Sequence, residues 1–217
     1  MLAPLRPAVL LAKQLASIDV ISGGRLQPVF GTGWSREEYA ALSVDYSARR
    51  RILRDNIAAC RALWENQPAS FHSETVSFEG LYSMPQPLQK RIPILLAAKA
   101  NEKNAAMVAE LFDGWESGPD DSHSLEKLRD GAALYRHAFA DAGRDPATLI
   151  IRAHLPRPMT EDGKLDPAML FNRIEAMREA GVTEFATGVS GRLEAPFSSM
   201  AAIQRYINDL AEGAAKF

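Results

Sequence analysis

One cysteine, Cys60, in 217 residues leaves no partner for an internal disulfide and no set of thiolates for a metal cage. Charge of one sign is equally scarce. Lysine and arginine number 25 against 27 aspartates and glutamates, interspersed, for a net charge of -2, so no basic surface for nucleic acid or an anionic membrane is built. Long apolar runs are missing: stretches such as 92–98 are too short to span a bilayer, and the start carries no basic, apolar and small-residue leader pattern. These features predict a cytoplasmic protein whose partner is a small molecule or another protein chain. Metal-ligand spacing, a Gly-x-Ser-x-Gly elbow and a Gly-x-x-x-x-Gly-Lys-Ser/Thr loop do not occur, which removes zinc hydrolase, serine hydrolase and P-loop readings. What is present is 47% hydrophobic residues, enough for one globular domain over residues 1–217. Cys60 shares a helical face with Leu53, Ile57 and Trp64 and is expected in the core.

Strand and helix signals alternate along the chain. A helix over 8–21 stops at Ser22-Gly23-Gly24, and a strand over 26–30 breaks at Gly31-Thr32-Gly33-Trp34. Ser35 and Glu38 make a capping box for a short helix, a longer amphipathic helix covers 49–65, and 71–82 read as a hairpin excursion before Met84-Pro85-Gln86-Pro87. Alternation resumes with strands at 92–98, 114–117, 149–155 and 183–189, and helices at 102–112, 124–142, from Asp166-Pro167 to Gly181, and 199–213. Five strands, each followed by a helix, predict a parallel α/β architecture.

Specific residues carry a resemblance. Leu11-Ala12-Lys13-Gln14-Leu15-Ala16-Ser17-Ile18-Asp19, Ser22-Gly23-Gly24-Arg25-Leu26 and Gly31-Thr32-Gly33-Trp34 with Glu37 and Glu38 come first. Arg61-Ala62-Leu63-Trp64, Phe71-His72, Pro85-Gln86-Pro87, Ile92-Pro93-Ile94 and Asp113-Gly114-Trp115 follow in order. Together they resemble the luciferase-like monooxygenases, a family of flavin- or F420-dependent oxidoreductases. The resemblance implies a (β/α)8 TIM-barrel type fold of which about five strand-helix units are present, with the first two strands and most of a third lacking. A late start codon, a degraded gene and a reduced protein that closes its sheet against a second copy are the three explanations. It further implies FMN or coenzyme F420 as cofactor, a small organic substrate, a homodimer, and a flavin reductase supplying reduced cofactor. A non-catalytic barrel remnant acting as a dimeric ligand- or flavin-binding protein is the alternative.

Ligands of such barrels lie at the C-terminal ends of the strands. The loop Ala98-Lys99-Ala100-Asn101 joins a strand to a helix whose free N–H groups favour a phosphate, with Asn101 as N-cap; the resemblance makes it the cofactor phosphate loop. It departs from the family's small glycine or serine residues at Ala97, Ala98 and Lys99, and Lys99 either pairs the phosphate, obstructs it, or is simply solvated. The resemblance also assigns Gly31, Thr32 and Gly33 to the cofactor, with Trp34 a pocket wall or a packing anchor. In 149–155, Leu149, Ile151, Ala153 and Leu155 share one face and Ile150, Arg152 and His154 the other. Arg152 and His154 are expected to point into the barrel, needing a ligand or a carboxylate, for which Glu116 and Ser117 are candidates; a structural ion pair is the competing reading. His72 and His123 are expected on the surface, and His137 within a helix without a partner.

Overall fold

A computed structural model describes residues 1–155 and 166–186, together with 204, 207, 208, 211 and 212. Helix α1, Ala8–Ile21, buries Leu11, Ala12, Leu15 and Ala16. It ends where Gly23 and Gly24 take φ of 68° and 77°, which L side chains adopt at a cost. Strand β1, Val29–Phe30, leads through the glycine-rich loop to α2, Arg36–Ala41, whose first turn is capped by the Ser35 hydroxyl accepting from the Glu38 N–H. Helix α3, Arg49–Glu65, turns Leu53, Ile57, Cys60 and Leu63 to the core. Burial pushes the Cys60 thiol up to about 12, so it stays protonated and packs as an apolar group. Strands β2, Ala69–His72, and β3, Ser77–Leu81, pair antiparallel as a separate hairpin.

The remaining units are β4, Leu95–Ala97; α4, Glu102–Leu111; β5, Gly114–Glu116; α5, Pro119–Ser122; α6, Leu125–Asp141; β6, Ile150–His154; α7, Pro167–Glu179; and β7, Glu184–Ala186. The main sheet is wholly parallel in the order β1-β4-β5-β6-β7, and Leu2 makes one further parallel bridge to Gly31. Five parallel strands flanked by helices form an incomplete TIM-barrel-like sheet, as the sequence predicts. Strands β1 and β4 are shorter than expected because Pro28 and Pro93 have no N–H to give a ladder. The ladder therefore opens with the Pro28 carbonyl accepting from Leu95. The short helix α5 is not anticipated by the sequence. The end of the strand expected over 183–189 lies outside the described residues, as does most of the helix expected over 199–213.

Phe30, Leu96, Trp115 and Ile151 stand in register on the sheet face that meets the helices, and all four are buried. Trp115 stacks on Tyr135 of α6 at 4.7 Å between ring centroids and donates its indole N–H to the Ala98 carbonyl at 2.7 Å. At the opposite, N-terminal end of the strands, Asp113 binds three arginines: Arg61 at 2.5 Å, Arg91 at 3.1 Å and Arg144 at 3.2 Å. Burial alone would raise the Asp113 carboxyl. Arg61, the Ile94 N–H and Arg91 outweigh it and hold the group below its ordinary value. On the arginine side burial wins, and the Arg61 guanidinium is pushed down despite Asp113.

Candidate functional site

Register fixes what the concave face of the sheet presents. Ala97 pairs with Glu116, Glu116 with Arg152, and Arg152 with Glu184, and residues paired across a parallel ladder project to the same side. Since Leu96, Trp115 and Ile151 occupy the helix side, Glu116, Arg152 and Glu184 form one polar row on the other. Arg152 Nη2 and Nε donate to Glu184 Oε2 at 2.7 and 3.1 Å, and Arg152 Nη1 lies 3.5 Å from Glu116 Oε2. His154, one row nearer the mouth and half exposed, places Nε2 3.3 Å from Glu116 Oε1.

The sequence-derived pairing of Arg152 with Glu116 is thus present, whereas Glu184 is a partner that the sequence reading missed. Its signal was available: Glu184 is the one charged residue in an otherwise apolar strand segment, and alternation sets it opposite Phe185. With two carboxylates on one guanidinium, Arg152 is already neutralised and does not wait for an anionic ligand. Gln27, just before β1, donates to Glu184 Oε1 at 3.0 Å and so joins the first and last strands of the sheet across its concave side. Ser117, the other candidate partner, is buried and turns away; its hydroxyl shares a hydrogen bond with Ser122 Oγ at 2.7 Å, and its N–H donates to the Arg152 carbonyl.

Two loops flank this row. In the first, the Asn101 side chain caps α4 by accepting from the Asn104 N–H at 2.9 Å, and Asn104 Nδ2 donates to the Lys99 carbonyl at 2.8 Å. Trp115 holds the Ala98 carbonyl from below. The backbone of 98–101 is thereby fixed, while the Lys99 side chain is exposed. Arg50 donates to Asn104 Oδ1 and to the Lys103 carbonyl, and a cavity of about 600 Å³ opens between Arg50, Asn101, Glu102, Lys103 and Leu134. The N–H groups of the first turn of α4 have no partner within the helix and carry its positive dipole end.

The second loop lies alongside the first. A Cβ on Gly31 would sit 3.5 Å from the Ala97 carbonyl, and Gly33, at φ 72°, would bring one to 3.0 Å from Leu2 Cδ1. Gly31 donates its N–H to the Met1 carbonyl at 3.0 Å, and the Thr32 carbonyl accepts from the Tyr39 hydroxyl. Gly33 is therefore required by its φ and by Leu2, whereas a Cβ on Gly31 would meet only ordinary contact; Gly31 with Ala97 keeps the floor beside Glu116 low. Trp34 is 85% exposed, so it does not anchor the core. Tyr46, which donates to the Trp34 carbonyl at 3.4 Å, has the guanidinium groups of Arg36 and Arg49 over its ring, 4.3 and 4.0 Å from the centroid.

The other histidines lie elsewhere. His72 is exposed on the hairpin between Ser77 and Glu79, 2.8 and 2.7 Å away, and His123 is exposed after α5. His137, expected to lack a partner, lies 3.4 Å from Asp141 one turn on. Among the described residues no group of histidine, cysteine and carboxylate side chains is arranged to hold a metal, and no helix is long and apolar enough to cross a membrane.

Known proteins are similar to this chain. An uncharacterized protein of Mycobacterium tuberculosis is 33% identical over 184 residues, 85% of this chain and 60% of its own length. The FMNH(2)-dependent dimethylsulfone monooxygenase of Pseudomonas putida is 28% identical over 142 residues, 62% of this chain and 39% of that protein. The crystal structure of a monooxygenase from Streptomyces bottropensis superposes with a TM-score of 0.81 at 21% identity, covering 96% of this chain and 74% of that one. The chain thus spans about 60% of the length of the mycobacterial relative it matches. Residues 1–162 match the model of the luciferase-like monooxygenases, and the chain belongs to that family.

Proposed function

We propose that this chain is the cofactor-binding part of a flavin- or F420-dependent oxidoreductase or monooxygenase that acts on a small organic substrate. The observation that carries the reading is the juxtaposition, at the C-terminal ends of adjacent strands β1 and β4, of a low floor at Gly31 and Ala97 with the N-terminus of α4. A planar ring needs such a floor, and a phosphate such a helix end. The residues fit the group: Lys99 and Lys103 add positive charge beside the α4 N-terminus, against the one acidic residue of that turn, Glu102, and the Asn101 cap, which takes the Asn104 N–H, fixes the turn. When bound, an isoalloxazine or deazaflavin supplies the hydride or oxygen chemistry, and the protein supplies position and electrostatics.

The protein's own contributions stem from this placement. Lys99, Ala98, Ala100 and Asn101 receive the phosphate, while Gly31, Thr32 and Gly33 line the ring side. Trp34, Glu116, Arg152 and His154 border the substrate space. Ser117, turned to Ser122, acts only by holding the β5–α5 loop. The same reading makes residues 1–217 a single cytoplasmic barrel domain that works as a homodimer and draws reduced cofactor from a flavin reductase.

A second reading, a non-catalytic flavin- or ligand-binding protein, is favoured by Ala97-Ala98-Lys99 standing where the family carries glycine or serine. Calorimetric titration with FMN and, separately, with F420 tests both. Saturable binding of one supports the enzyme reading and sets the assay; turnover absent despite binding favours the second reading; binding of neither overturns both.

A further inference from the structure

The polar row on the concave face contains more than a structural ion pair. Arg152 and Glu184 satisfy each other in a two-point contact, with Nη2 and Nε on a single carboxylate oxygen, and Gln27 takes the other oxygen of Glu184. Glu116 is held differently. One of its oxygens faces Arg152 at 3.5 Å and the other faces His154 Nε2 at 3.3 Å. Glu116 and Arg152 are largely buried, with side chains 15% exposed each, whereas His154 is 46% exposed at the rim. The backbone under this histidine is fixed as well: its N–H donates to Ser122 Oγ at 3.1 Å, and β6 pairs on both sides with β5 and β7.

A carboxylate that faces one imidazole nitrogen selects the tautomer with the proton on that nitrogen and leaves a lone pair on the other. Here the proton belongs on Nε2, toward Glu116. Among the described residues Nδ1 has no partner.

We propose that His154 is a proton-transfer residue of the site, with Nδ1 as the working atom, and that Glu116 is its positioning residue. The inference rests on the proposed function and deepens it. Its substrate class is a small molecule carrying an exchangeable proton on oxygen, such as an alcohol or the hydrate of a carbonyl. In the forward direction the O–H bond breaks, its electron pair stays on the substrate oxygen, and the proton forms a new N–H bond at Nδ1. The imidazolium so formed lies against Glu116, whose negative charge offsets it; the reverse step returns the proton. Arg152 holds Glu116 in place. Among the described residues, the charged groups facing the pair are Arg152 from β6, Glu184 from β7 through Arg152, and the Met1 amine, which is coupled to Glu116 electrostatically.

The chain has four histidines, at 72, 123, 137 and 154, so their nitrogen resonances can be assigned by single substitutions. The experiment uses the full chain labelled with 15N-histidine, alone and saturated with FMN or F420, whichever titrates. Two readouts are taken: the tautomer of neutral His154, and the rate at which diethyl pyrocarbonate acylates it, followed by mass spectrometry. The expected result is the Nε2–H tautomer, lost to a mixture in Glu116→Gln, and acylation at His154 slowed at least tenfold by the bound cofactor while His137 reacts unchanged. An Nδ1–H tautomer, or acylation at His154 that a saturating cofactor leaves unaltered, overturns the proposal without touching the functional reading. If neither cofactor binds, the functional reading falls and this proposal falls with it.

Discussion

Asp113 gathers Arg61, Arg91 and Arg144 at the foot of the sheet and also accepts the Ile94 N–H at 2.9 Å. Replacing it removes the anion bound to a largely buried Arg61, and an uncompensated buried charge costs about 3–5 kcal/mol. Asp113→Asn is expected to lower the urea midpoint accordingly, while changes at the exposed Arg51–Glu74 pair shift stability by less than about 1 kcal/mol. The sign with pH comes from the depressed carboxyl. The folded state holds Asp113 below its unfolded value of 3.8, so its contribution is fully present above that value and is lost as pH falls through the folded one. Native protein should show a steeper loss of stability below about pH 4 than Asp113→Asn, by chemical denaturation at a series of pH values. Equal slopes would remove Asp113 as the source.

Packing at the level of elements turns on small residues and caps. Gly131 lies in the middle of α6, where an alanine would ordinarily gain up to about 1 kcal/mol in helix propensity. A Cβ there would stand 2.5 Å from Trp115 Cη2. The indole cannot retreat, being stacked on Tyr135 and tied to the Ala98 carbonyl, so overpacking wins. Gly131→Ala is expected to destabilise by about 1–3 kcal/mol, and an unchanged or raised melting temperature would show that the indole yields. Asn101→Ala removes the cap of α4 and is expected to cost about 1 kcal/mol in thermal stability. Under the proposed function it also weakens cofactor binding in calorimetry, and a stability loss with unaltered affinity would place the phosphate elsewhere.

These elements also show what a sequence discloses. Caps at Ser35, Asn101 and Asp166 and stops at Gly23, Gly143 and Gly181 are local chemistry, and the helices begin and end where those residues stand. The alternation in 149–155 was enough to put Ile151 and Ala153 in the core and Arg152 on the other face. Strand ends were less legible, because a ladder depends on the neighbour's donors and Pro28 and Pro93 withhold theirs. Glu184 as a partner of Arg152 depends on register between β6 and β7, and Gln27 as its second partner on the curvature of the whole sheet. Glu184 stands out locally as the one charge in its strand, but which partner it meets, like the partner of Gln27, has no local signature. The same holds for Ser117, whose turn toward Ser122 is set by the unanticipated helix α5.

For the molecule as a whole, the bond from Gln27 to Glu184 spans from the segment before β1 to β7, 157 residues apart in sequence. It is a half-buried hydrogen bond to a charged group, so its loss in Gln27→Ala is expected to cost about 1.5–3 kcal/mol. The effect should spread. Hydrogen exchange is expected to quicken in both β1 and β7 but not in the β2–β3 hairpin, which pairs only with itself. Acceleration confined to β1 would mean that the two ends of the sheet are held independently.

The chain has three tryptophans, and the fold has distributed them as a set of optical probes. Trp115 sits dry beneath the sheet, Trp64 is half-buried and donates to α1 through the Ala12 carbonyl, and Trp34 stands in water at the rim. Emission from Trp115 reports unfolding, whereas Trp34 is the tryptophan most open to a soluble quencher such as acrylamide, with the half-buried Trp64 in between. A fluorescence titration can therefore separate an event at the mouth from a change in the interior without any label.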